Sequence, residues 1–155
     1  ENIDFFSGLL GFGHTVIACA AIVLGTVVLL KPKGTNLHKR IGYAYASAMV
    51  LTNLTAFMIY NTGKPSFFHL CALVSLLTLI AGMAAAIRKK RAWFVRHYYF
   101  MSWSVVGLYC AFWAEMGTRL VDMQYFWWAV MAATMLTAAV GAFVIQLKAR
   151  QLKIQ

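Results

Sequence analysis

The sequence predicts an all-α integral membrane protein, a four-helix transmembrane bundle plus a fifth transmembrane helix, and three observations carry that reading. Of 155 residues, 62% are hydrophobic and 12% charged, far from a soluble domain's balance of roughly half apolar and a quarter charged. The apolar residues gather into runs near or above the ~20 residues a spanning helix needs. These runs predict one transmembrane domain over 1–155, with helices at about 5–30, 38–60, 66–87, 97–117 and 125–147. They show neither the alternation of a membrane barrel nor the polar face of a soluble bundle helix.

Charge orients the runs. Lys31, Lys33, Lys39 and Arg40 fall in the first loop, Arg88, Lys89, Lys90, Arg91 and Arg96 in the third, and Lys148, Arg150 and Lys153 at the C-terminal end, whereas only Lys64 and Arg119 fall on the other side. The positive-inside rule therefore predicts the N-terminus outside and the C-terminus in the cytoplasm. The same asymmetry assigns the net charge of +10 to membrane orientation and to anionic lipid headgroups at the cytoplasmic face, not to nucleic acid. Cys19, Cys71 and Cys110 lie in different runs without a Cys-x-x-Cys pair, so they read as small apolar residues with no disulfide or zinc framework. The first residue is Glu1, so the chain is expected to be processed, trimmed or partial. Its first run exceeds a typical signal-peptide core and enters a basic loop directly, which predicts a true helix.

In the first helix Ser7, Gly11, His14, Ala18, Ala21 and Gly25 follow three-four spacing, a stripe of small residues that faces the bundle interior and carries a histidine with it. A turn-rich stretch at 31–36 precedes the second helix. There His38, Gly42, Tyr45, Met49, Asn53 and Ala56 share a face, with Asn53 expected as hydrogen-bond glue between helices. Residues 61–65 predict a short outer turn, and Ser66 an N-cap for the third helix. His69 lies in that helix's first turn, on a face with Ala72, Leu76, Ile80 and Met83. Trp93 and Phe94 sit between cations as interfacial anchors. In the fourth helix His97 and Glu115 are 18 residues apart, about five whole turns, so they share a face at opposite ends. Glu115 also stands four residues before Arg119, the spacing of a helical salt bridge. The fifth helix holds no His, acid or base before Lys148. Its small residues Ala132, Ala133, Ala138, Ala139 and Gly141 predict a packing or partner-binding role.

Topology sorts the histidines, placing His14 and His69 in the outer half and His38 and His97 at the cytoplasmic edge. Two histidines per level in a four-helix bundle is the arrangement that bis-histidine ligation of two b-type haems uses. The two levels would stand roughly 20 Å apart, a separation compatible with transmembrane or quinol-linked electron transfer. One mismatch stands against the outer pair. His14 lies about nine residues below its helix edge and His69 about three, a difference of roughly 9 Å. A compact alternative is one zinc or iron ion at an outer site of His14, His69 and Glu115, which would make the protein a metal or proton carrier. A third is no cofactor at all, in an accessory subunit of a larger membrane complex. Phosphate loops, dinucleotide fingerprints, nucleophile elbows and acid–base pairs do not occur, so a stand-alone enzyme is not expected.

The ordered segments Leu37-His38-Lys39-Arg40-Ile41-Gly42-Tyr43-Ala44-Tyr45, Phe67-Phe68-His69-Leu70-Cys71-Ala72-Leu73 and Arg96-His97-Tyr98-Tyr99-Phe100-Met101-Ser102-Trp103, after a span holding His14, resemble a group of small bacterial membrane proteins, domain of unknown function 2306. The resemblance covers about residues 13–120. It implies a four-histidine helical core in a bacterial cytoplasmic membrane and supplies no activity. The histidine placement is more loosely similar to di-haem cytochrome b bundles, an analogy of fold alone. Together these make haem b the expected cofactor and quinone a candidate partner.

Overall fold

A computed structural model describes residues 2–59 and 67–152, without the side chains of 2–7, 118 and 119. It holds α1 (Asn2–Leu30), α2 (Asn36–Met58), α3 (Phe67–Arg88), α4 (Trp93–Leu120) and α5 (Met123–Gln151), with no strand among the described residues. The five expected helices are therefore present. The turn at 61–65 and the Ser66 cap lie outside the described residues. α4 and α5 extend beyond their apolar runs at both ends, because interfacial residues such as Trp93, Arg96 and Lys148 continue helical hydrogen bonding while their polar ends reach toward water.

Among the described residues, α1 from Gly8, α3 and α5 are long and apolar enough to cross a membrane on composition. α2 and α4 are less apolar because Tyr43, Tyr45, Thr52, Asn53 and Thr55 dilute the one and Tyr98, Tyr99, Ser102, Trp103 and Ser104 the other. These two less apolar helices nonetheless carry much of the buried surface. α2 buries Tyr45, Ala46, Met49, Thr52 and Asn53, and α4 buries Tyr98, Met101, Ser102, Ser104, Val105, Val106 and Leu108. The apolar helices instead show large side chains outward, such as Phe12, Leu77 and Phe143. Polar groups are tolerated at membrane depth where protein surrounds them, and hydrocarbon faces lipid without penalty.

The chain forms two compact units, Glu1–Ile80 and Ala81–Gln155, so that α3 contributes to both. In the first, α1 and α2 pack antiparallel. Between them, Lys33 Nζ donates to the carbonyls of Val28 and Leu29 at 3.1 and 2.8 Å, satisfying acceptors that the end of α1 leaves open. Gly34 supplies the left-handed φ of +83° that the turn requires. Thr35 caps α2, its Oγ1 accepting from the His38 N–H at 3.1 Å. The stripe read from the sequence faces inward. Ala21 and Gly25 are buried and Gly11, His14 and Ala18 half-buried, while Val16 and Val23 point out; the Ser7 side chain is outside the described residues.

In the second unit α4 and α5 pack antiparallel, with the Tyr98 hydroxyl donating to the Ile145 carbonyl at 2.7 Å and the Cys110 thiol to that of Thr134 at 3.8 Å. A Cβ on Gly141 would stand 2.5 Å from Val106 Cγ2, and one on Gly117 2.8 Å from Val130 Cγ2, so both glycines mark close approach of the helices. Two expectations about small residues change here. Ala132 and Ala139 are exposed and the inner face of α5 runs through Phe126, Val130, Ile145 and Ala149, because alanines scattered around a helix do not define one side. On α3, Ile80 is exposed and Leu79 buried, since each four-residue step rotates about 40° past a full turn. Gly141→Ala is expected to destabilise the protein by about 1–3 kcal/mol through overpacking, and Val106→Ala in the same chain to restore most of it. Gly107→Ala, where no atom lies within 4 Å, should be neutral or gain up to ~1 kcal/mol. Reversible unfolding in mixed micelles measures all three.

Candidate functional site

His14 sits half-buried on α1 and its Nδ1 lies 2.7 Å from Thr55 Oγ1 on α2. Thr55 Oγ1 also stands 2.9 Å from the Leu51 carbonyl and 3.0 Å from that of Thr52. A hydroxyl has one proton and two lone pairs. Donating it to the helix backbone leaves a lone pair for the imidazole, whereas the reverse polarity would turn lone pairs on two carbonyls. In this pair Nδ1 of His14 is therefore the donor and Thr55 Oγ1 the acceptor.

His69, half-buried in the first turn of α3, lies with its ring 6.4 Å from that of Phe57 at a tilt of 42°. Thr55 and Phe57 are two residues apart on α2, about 3 Å along its axis and about 200° around it. Ala56, half-buried, is midway between them, with buried Thr52 and Asn53 on the same face. His14 and His69 thus meet α2 at one level, on its two flanks, either side of its inward face. The depth mismatch expected from the sequence is absorbed by α1. With His14 against Thr55 and Val28 beside Gly42, the end of α2 at Met58 comes level with about residue 11. The first nine or so residues of α1, ~13 Å of helix, run past it.

His38 occupies the opposite end of the first unit, in the first turn of α2. It lies 17 residues from Thr55 (55 − 38), about 25 Å along the axis. In the second unit His97 is half-buried near the start of α4, its Nδ1 2.9 Å from the Gly82 carbonyl on α3. A carbonyl only accepts, so Nδ1 of His97 is likewise the donor. Gly82 permits this bond twice over. Its carbonyl takes the proton, and a Cβ there would stand 2.8 Å from Met101 Sδ and 3.2 Å from Phe100 Cβ, pushing α4 away.

Glu115 is exposed on α4, and the Arg119 side chain expected to pair with it is outside the described residues. Among the described residues no three His, Cys, Asp or Glu side chains cluster as metal ligands would. That gives no support to the three-ligand outer site of His14, His69 and Glu115. Asn53 does not show the interhelical bond expected of it; it is buried and donates from Nδ2 to the Met49 carbonyl of its own helix at 2.8 Å. A cleft of about 220 Å³ opens beside His14, walled by Leu9, Leu10, Gly13 and Ile17 with Thr55. It lies below the ~300–1,000 Å³ of ligand pockets.

Thr55 and Gly82 were not legible as site residues. A threonine inside a membrane helix normally bonds its own i−4 carbonyl, which Thr55 does, and nothing local marks its second role toward a residue 41 positions away. Gly82 had a signal in the small-residue run Ala81-Gly82-Met83-Ala84-Ala85-Ala86, which indicates close helix approach.

Comparison with known families finds a match over residues 11–154 to the model described as predicted membrane protein, domain of unknown function 2306. No curated protein and no solved structure matches the chain. A matched segment that covers nearly the whole chain, in an all-helical molecule with three helices able to cross a bilayer, shows that the protein belongs to this membrane-protein family.

Proposed function

We propose that the protein is a multi-pass redox protein of the bacterial cytoplasmic membrane that binds haem b and passes electrons across the bilayer or from a quinol. In this reading its five helices form one transmembrane domain with the N-terminus outside. The observation that carries it is the common level of His14 and His69 on the two flanks of α2, with the inward face of that helix between them. His14 and His69 would hold one haem, and His38 and His97 a second near the basic loops. The donor chemistry fits. An imidazole whose Nδ1–H is fixed by an oxygen acceptor has its ring orientation set and its Nε2 made more basic, the usual support of a metal-bound histidine. His14 and His97 both have that support. Haem iron with two histidine ligands supplies one-electron chemistry. The cleft beside His14 is too small for the whole of such a group, so the rest would lie against other apolar surface. The basic turns favour anionic lipid at the cytoplasmic face.

A second reading, an accessory subunit without a cofactor, draws on the outer face of α5. There Trp128, Met135 and Phe143 are more than 60% exposed and the alanines Ala132 and Ala139 lie open.

A visible spectrum of the protein purified with its cofactors is expected to show a Soret band and a reduced α-band. His14→Ala and His69→Ala should each remove the same share of haem, about half, and His38→Ala and His97→Ala the other. Absence of the Soret band overturns the haem reading, and stoichiometric recovery of a partner protein alongside that absence supports the accessory subunit. For topology, single cysteines at Thr35 and Lys90 in a cysteine-free chain should resist an impermeant maleimide added outside intact cells, while one at Gln124 reacts. The opposite pattern would invert the proposed orientation.

A further inference from the structure

We infer that Thr55 is the positioning residue of His14, fixing its tautomer and so the direction in which Nε2 is presented. The consequence for cofactor binding rests on the haem reading above, but the geometry stands without it. The hydrogen bonds form a one-way relay. The Thr55 hydroxyl proton is committed to the α2 backbone at Leu51 and Thr52, and the lone pair this frees takes the His14 Nδ1 proton at 2.7 Å. Leu9, Leu10, Gly13 and Ile17 wall the cleft beside the ring.

The relay is specific to this threonine. Thr52, one turn earlier on α2, donates only to the Ala48 carbonyl, and Thr15 beside His14 donates to that of Gly11. His97 reaches the same tautomer by a different acceptor, the Gly82 carbonyl, so the two histidines share a proton arrangement that their sequences do not share. A main-chain acceptor cannot be deleted by substitution. A hydroxyl can, which makes Thr55 the informative position.

The test compares Thr55→Val, which keeps the side-chain shape and loses the acceptor, with Thr55→Ser, which keeps the acceptor. Thr52→Val serves as a control for losing a buried hydroxyl on the same helix. Histidine ring ¹⁵N spectra are recorded on full-length protein produced without haem, so that no metal holds Nε2 and the ring is free to change tautomer, with His14 assigned by His14→Gln. The wild type, Thr55→Ser and Thr52→Val are expected to show His14 protonated at Nδ1. Thr55→Val should move the signals to the other tautomer or to an exchange average. Retention of the Nδ1-protonated signals in Thr55→Val overturns the inference, as does an equal change in Thr52→Val. Where haem is present, its midpoint potential should shift in Thr55→Val and return in Thr55→Ser. If protein produced with haem available shows no Soret band while the His14 signals of the haem-free protein still respond to Thr55→Val, the haem reading goes and the positioning role stays.

Discussion

An imidazole N–H turned between apolar helices needs an acceptor inside the protein, because apolar side chains offer none. Much of the arrangement around the histidines follows from that requirement. His14 on α1 takes the hydroxyl of Thr55 on α2, and His97 on α4 takes the carbonyl of Gly82 on α3. In each case the acceptor is on the neighbouring helix. The bond therefore ties two helices together as well as fixing a ring. In both bonds Nδ1 is the donor, which gives the two histidines one chemical character.

Close packing serves the same end. Gly82 has no Cβ to hold α4 away, and Gly141 lets Val106 seat against α5. Without a hydrophobic driving force between helices in lipid, such contacts and a few interhelical hydrogen bonds hold them together. The Tyr98 hydroxyl on the Ile145 carbonyl is one of these. The division of labour among helices is a further result. α2 and α4 are the least apolar, yet they hold much of the buried surface, while α1, α3 and α5 turn many large apolar side chains outward.

The helices and their inward faces were largely legible in the sequence. The stripe through His14, Ala18, Ala21 and Gly25 and the face through Tyr45, Met49 and Asn53 both point inward, because three-four spacing is a local property of a helix. The level of His14 and His69 was not legible. It depends on how far α1 overshoots α2, a relation between helices that no local pattern contains. The depth count treated each helix as starting at one plane, and α1 does not. The acceptor of Asn53 was misread for the opposite reason: its partner, the Met49 carbonyl, is its own previous turn, and burial alone does not separate that from a bond to a neighbour.

The last turn and a half of α2 holds Thr55 and Phe57, the contacts of both outer histidines, and ends at Ile59, whose N–H closes back on the Ala56 carbonyl at 3.3 Å. Helix ends are where opening is least costly. Two side chains from different helices thus lean on one terminal segment, and a fluctuation that unwinds it disturbs both together. Their orientations are thermodynamically linked through that segment. A group that bridged them would stiffen the end of α2, and whatever stiffened the end of α2 would by reciprocity tighten its hold on that group.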